Sequence, residues 1–265
     1  MNLPGPDDIW ARVRAATPAR IGLGRSGVSL PTNAALAFAL DHARARDAVH
    51  APFDVETVAR TIEALGLPTL RAASAAADRE TYLRRPDLGR RLDLESQGRL
   101  QRARHQEIDL AIVVADGLSS AAAQNHAAPL IETLLPHLAA RGRRLGPVVL
   151  ASQARVALGD EIGFCLGARL VAVMLGERPG LSSPDSLGIY LTLGPRPGRT
   201  DAERNCISNV RPAGLSYAAA AFKLDWLVNE ALTLGLTGVE LKDESDLVRL
   251  PIRRDPPAFA IQPIA

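Results

Sequence analysis

Cysteine is scarce in this chain: Cys165 and Cys206 are the only two among 265 residues. They have no metal-site spacing and frame no disulfide scaffold, which suits a reducing compartment. Aromatic residues make up 4% of the sequence, and lysine occurs only at Lys223 and Lys242. The chain therefore offers neither a base-stacking platform nor a basic block that tracks phosphates, and the net charge of +2 is spread over many mixed charges, so no nucleic acid partner is expected. No apolar run approaches the roughly 20 residues that span a bilayer. Asp7 and Asp8 stand where a secretory signal would be basic and then apolar, so the reading is a cytoplasmic protein without membrane contact. Signatures of self-contained catalysis are missing as well: there is no G-x-S-x-G elbow, no H-E-x-x-H and no P-loop. His42, His50, His105, His126 and His137 are scattered and read as surface or helix-face residues.

What is present is organised around Arg169 to Leu181. Leu170 to Leu175 is a continuous apolar run, short enough for a strand covered on both faces, and Gly176, Pro179 and Gly180 end it in a charged loop. Further strands are read at Ile108 to Ala115, Pro147 to Ala151 and Leu187 to Leu193. Helices alternate with them. One follows the Ser119 cap and carries Leu130, Ile131, Leu134, Leu135 and Leu138, with Pro129 and Pro136 expected to start, kink or split it. Another covers Asp160 to Leu166, and a last one runs from Ser216 to a stop at Gly235. Strand and helix in turn give an α/β fold, a doubly wound sheet.

The N-terminal part reads differently. Asp7 or Asp8 can cap a first helix, Thr32 or Asn33 a second through Arg46, and Asp54 a third that Gly66 ends. Gly22-Leu23-Gly24-Arg25-Ser26-Gly27 spells the dinucleotide-binding pattern, yet Pro18 interrupts the approach and Pro31 stands where the phosphate-binding helix should be running; it reads as a surface turn. The change of character falls at Arg84 to Leu92. The expected organisation is a small, mainly helical N-terminal domain over residues 1–88, the sheet domain over 89–240, and a poorly ordered tail over 241–265, where charges and prolines accumulate.

Ligands of open parallel sheets lie beyond the carboxyl ends of the strands. Three loops there supply Asp116, Arg155 and Glu177, and a fourth segment, Asp201 to Asn209, crowds polar groups nearby. A stand-alone nucleotide- or S-adenosylmethionine-binding protein, or a pure scaffold, would also suit such an edge.

Four motifs narrow the choice: Arg85-Pro86-Asp87-Leu88-Gly89-Arg90, Asp116-Gly117-Leu118-Ser119, Gly176-Glu177-Arg178-Pro179-Gly180-Leu181 and Cys206-Ile207-Ser208-Asn209. In this order and approximate spacing they resemble the small (light) subunit of ethanolamine ammonia-lyase, over about Arg20 to Gly238. The resemblance implies a Rossmann-like domain and a carbon–nitrogen (ammonia) lyase, in which this chain would be the non-catalytic, cofactor-binding member of a hetero-oligomer. It implies adenosylcobalamin as cofactor, and a large catalytic subunit whose barrel binds ethanolamine and converts it to acetaldehyde and ammonia. Carried over residue by residue, the cofactor contacts fall on Val156, Glu177 and Cys206. A corrin ring is rimmed by primary amides, so fixed acceptors serve it: the Glu177 carboxylate, and the backbone carbonyls at Val156 and Cys206. No D-x-H-x-x-G loop occurs, so no metal ligand is expected from this chain and the cofactor is expected to keep its own base on cobalt. Some family members carry a longer N-terminal extension linked to packaging in a bacterial microcompartment; this chain begins almost at its first helix, and a free cytoplasmic enzyme is the expectation.

Overall fold

The computed structural model describes residues 9–104 and 107–249. The cap expected at Asp7 or Asp8, His105, and the tail from Leu250 onward lie outside the described residues.

Six strands form one sheet: β1 (Thr69–Ala73), β2 (Leu110–Ala115), β3 (Val148–Ser152), β4 (Leu170–Gly176), β5 (Leu187–Leu193) and β6 (Asn205–Val210), in the spatial order β1-β3-β2-β4-β5-β6. The first four are mutually parallel; β5 is antiparallel to β4 and β6 to β5. β2 and β4 lie side by side, Leu110 to Ala115 matching Leu170 to Leu175, and every residue of both is buried. Their unbroken Val, Ile, Leu and Ala composition follows from that position, since helices cover both faces.

Alternate strand residues feed two cores, as the period of two requires. Ile112, Val114, Leu150 and Met174 pack with Ile62 of α3 (Val55–Glu63), with Leu130, Ile131 and Leu134 of α6 (Ser120–Ala140), and with Leu224 and Val228 of α8 (Tyr217–Leu234). Val113, Val149 and Val173 point the other way, onto Leu100 of α5 (Leu94–Arg102) and Ile162 of α7 (Leu158–Leu166). The crossover from β2 to β3 through α6 and that from β3 to β4 through α7 thus lie on opposite faces.

Several caps fall where the sequence places them. Asp54, Ser119 and Ser216 accept the N–H of Thr57, Ala122 and Ala219, and Gly235, with φ 74°, closes α8. Pro129 and Pro136 do not split α6, which runs unbroken through both. The Gly22 to Gly27 segment is a turn bridged by Ser26 and Ser29, with no strand before it among the described residues. α1 (Ile9–Ala15) and α2 (Thr32–His50) lean outward: of α2 only Ala48 is buried. β1, α4 (Arg79–Arg84) and α5 join the scaffold although periodicity does not announce them. The nine residues 241–249 lie against α8: Leu241 is buried, and Lys223 bonds Asp243, Ser245 and Asp246, the latter two in α9 (Ser245–Arg249). Among the described residues no helix is long and apolar enough to cross a membrane.

Candidate functional site

The loops that leave β2 and β4 touch through their backbones. Leu118 N–H donates to Gly176 O at 2.8 Å, and a Cβ on Gly117 would fall 2.2 Å from that oxygen. Gly117 also has φ 55°, and a Cβ on Gly176 would stand 1.9 Å from Ser119 O. Only glycine fits at either place. The Asp-Gly-Leu-Ser and Gly-Glu-Arg-Pro-Gly motifs are therefore two halves of one edge.

Asp116 turns away from solvent. It is 2% exposed and accepts from Gln153 N–H at 2.9 Å, Ala154 N–H at 3.0 Å and Arg79 Nη1 at 3.4 Å. Burial raises its pKa, against those bonds. Its work is to hold the loop after β3, where Gln153 adopts φ 54°, and not to meet a ligand. That loop delivers Arg155 and Val156. Arg155 lies 4.4 Å over the ring of Tyr82, with Arg79 at 4.8 Å, and the fully buried Tyr82 donates its hydroxyl to Ala154 O at 3.1 Å. Burial pushes the Tyr82 hydroxyl up to about 12.

Glu177, half-buried, leaves β4 and reaches across β5 to the end of β6. Its carboxylate accepts from the hydroxyls of Ser186 and Ser208 and from Asn209 N–H at 3.3 Å. Gly188 leaves room for it: a Cβ there would be 2.8 Å from Glu177 Oε1. A carboxylate has about four acceptor sites, so roughly one stays open. Glu177 and Val156 line one cleft of about 430 Å³, together with Tyr82, Arg155, Tyr190 and Ser208. Cys206 is not in that lining. It is exposed on β6 as the cross-strand partner of Tyr190. Partial desolvation and then the Glu177 charge raise the Cys206 thiol, so it stays neutral at ordinary pH. The structure thus brings Val156 and Glu177 to one cavity and connects Cys206 to it through Tyr190.

Ser186, Tyr82 and Tyr190 were not singled out from the sequence, and Ser208 stood in the Cys206 to Asn209 motif without a role. Ser208 had a signal, since it shares a strand face with Cys206 two residues earlier. Tyr82 had none, because its helix is only six residues long. The loop 177–186 is also held from behind. Buried His126 meets Tyr217 Oη at 2.8 Å through Nδ1 and Asp185 at 3.3 Å through Nε2, and Asp185 pairs with Arg211 at 3.4 Å.

No cluster that could hold a metal ion occurs among the described residues. The site is thus an α/β sheet edge furnished with fixed acceptors and arginine donors. The family of the Ethanolamine ammonia-lyase light chain matches residues 7–242. The chain belongs to that family. It is 61% identical over 234 residues to the ethanolamine ammonia-lyase small subunit of Bradyrhizobium diazoefficiens, covering 88% of this chain and 90% of the relative. It is 57% identical over 251 residues to the small subunit of Azotobacter vinelandii, covering 93% of each, and 58% identical over 235 residues to that of Rhodopseudomonas palustris, covering 89% of this chain and 90% of the relative.

Proposed function

We propose that this chain is the cofactor-contacting small subunit of a cytoplasmic ethanolamine ammonia-lyase, and that Val156, Glu177 and Cys206 hold one edge of adenosylcobalamin. The crossovers from β2 to β3 and from β3 to β4, on opposite faces of the sheet, suit a Rossmann-like, doubly wound reading, with α1, α2 and their turns as a small helical appendage. The observation that carries the proposal is the cleft beyond β3 and β4. It offers both kinds of partner an amide rim requires: an acceptor site left on Glu177, and Arg155 Nε, which is buried without a hydrogen-bond partner. Cavities of about 300 to 1,000 Å³ suit drug-sized ligands. A corrinoid is far larger, so this cleft grips a margin and a large catalytic subunit, a barrel holding ethanolamine, must supply the rest. When bound, adenosylcobalamin supplies the radical chemistry that converts ethanolamine to acetaldehyde and ammonia. This chain's part is to orient the cofactor and close over it.

Reconstitution tests this. The chain alone should turn over no ethanolamine; the co-expressed complex should do so only with adenosylcobalamin. Turnover by the isolated chain, or a fully active large subunit without it, would overturn the reading.

A further inference from the structure

The Leu88-Gly89-Arg90-Arg91 stretch has so far been given no role. Gly89 is buried against Arg155: Arg155 N–H donates to Gly89 O at 2.8 Å, and a Cβ on Gly89 would fall 3.0 Å from Arg155 Cγ and from the Tyr82 ring. This approach sets Arg90 and Arg91 beside Arg155 in a second cleft of about 590 Å³, which shares Arg155 and Val156 with the first. Two other arginines reach that cleft, and both are committed. Arg204 is paired with buried Asp160, and Arg199 with Glu203.

Arg90, Arg91 and Arg155 are different. None has a carboxylate within 4.0 Å among the described residues, and Arg155 Nε is buried without a partner. Arg155 otherwise makes a 3.4 Å bond to Tyr82 O and lies over the Tyr82 ring. Two acids line the cleft: Glu161 takes Leu92 N–H at 2.7 Å, and the exposed Asp201 lies 3.3 Å from Arg204 Nε, which already serves Asp160. Three guanidinium groups without a carboxylate partner, against the carboxylates of Glu161 and Asp201, leave an excess of positive charge. Planar, bidentate guanidinium donors match the oxygens of a phosphate.

We propose that this second cleft is an oxyanion subsite for a phosphate group. Resting on the cofactor reading above, the group is the phosphodiester in the nucleotide tail of adenosylcobalamin, with the corrin margin in the Glu177 cleft and Arg155 at the junction.

The test uses the complex with the large subunit, and compares adenosylcobalamin with adenosylcobinamide, which has the corrin but lacks the tail and its phosphodiester. Arg90 and Arg91 are exposed and have no carboxylate partner among the described residues, so Arg90→Gln/Arg91→Gln should leave the fold intact, which circular dichroism checks. The double variant should bind adenosylcobalamin at least tenfold more weakly and adenosylcobinamide unchanged, while Arg90→Lys/Arg91→Lys should recover most of the loss. Inorganic phosphate at millimolar concentration should compete with adenosylcobalamin and not with adenosylcobinamide. Equal loss for both corrinoids, or loss for neither, would overturn the subsite. If the parent complex bound neither corrinoid, the cofactor reading would fail instead. Broadening of the phosphate phosphorus resonance by the parent, and not by the Gln variant, would then still support an oxyanion site, and its absence would overturn it.

Discussion

Asp160 and Arg204 offer the sharpest test of how the site is supported. Arg204 precedes β6, and its Nη1 lies 2.6 and 2.7 Å from the two Asp160 oxygens. The side chains are only 3% and 2% exposed. Nη1 also bonds Thr192 Oγ1 at 3.3 Å, and Nη2 bonds Arg199 O at 2.8 Å. Asp160→Ala removes the buried counter-charge and leaves a guanidinium that cannot shed its proton, with only the exposed Asp201 at 3.3 Å from its Nε. Breaking one side of a buried pair costs about 3–5 kcal/mol. For a domain of this size each kcal/mol lowers Tm by about 2–4 °C, so the drop should be about 6–20 °C. Asp160→Leu/Arg204→Met removes both charges at similar volume and should recover most of the stability, because such replacements are often neutral or stabilising. Urea unfolding with unchanged slope gives the free energies. A single variant within about 1 kcal/mol of the parent would refute the reasoning, as would a double variant no better than the single.

Other expectations follow from the edge. Glu177→Ala should weaken adenosylcobalamin binding in the reconstituted complex by about 1.5–3 kcal/mol, the range for hydrogen bonds to a charged group, and should speed amide exchange over 177–186; an unchanged affinity would remove Glu177 from the site. Gly117→Ala should cost about 1–3 kcal/mol from left-handed strain alone, with the contact to Gly176 O added to it; a variant as stable as the parent by calorimetry would contradict the shared edge. Tyr82, raised to about 12 from an ordinary 10.0, retains its proton in the folded state where the unfolded chain has lost it. Its contribution is therefore complete below pH 10.0 and is lost as pH climbs toward about 12, a limb that Tyr82→Phe should remove. Tyrosinate absorbance during alkaline titration of the parent and of Tyr82→Phe checks this, and a Tyr82 that ionises at the ordinary 10.0 would count against it.

The central sheet was legible because its strands are buried on both faces. Leu110 to Ala115, Leu170 to Leu175 and Leu187 to Leu193 needed no partner to be recognised. The edge strands were not. β1 reads Thr-Leu-Arg-Ala-Ala and β6 reads Asn-Cys-Ile-Ser-Asn-Val, too polar and too short to stand out, since only pairing with β3 and β5 gives them their form. The site divides in the same way. Glu177 was visible as the charged residue after a central strand, whereas its partners Ser186 and Ser208 come together only through the β4–β5–β6 pairing. Asp116 illustrates the reverse: a strand-exit acid looks ligand-facing in sequence, but two backbone N–H groups of the neighbouring loop turn it inward.

The switch from parallel to antiparallel pairing at β4 also bears on how the sheet assembles in time. Joining β4 to β5 closes a loop of ten residues, 177–186, whereas joining β1 to β3 must gather 74 residues, 74–147. Since the entropy of closure grows as the logarithm of loop length, the second joining costs about 1.8 kcal/mol more before any contact rewards it. The β4–β5–β6 half, which carries Tyr190 and Cys206 and leads into Glu177, is the part of the sheet that local contacts can build early, while the β1–β3 edge waits for the chain between to fold. A pulse of hydrogen exchange during refolding would find amides of Ile189 and Ile207 protected before those of Leu70 and Arg71. In that order, the ligand edge forms on a seed of neighbouring strands instead of on the finished barrier of the whole domain.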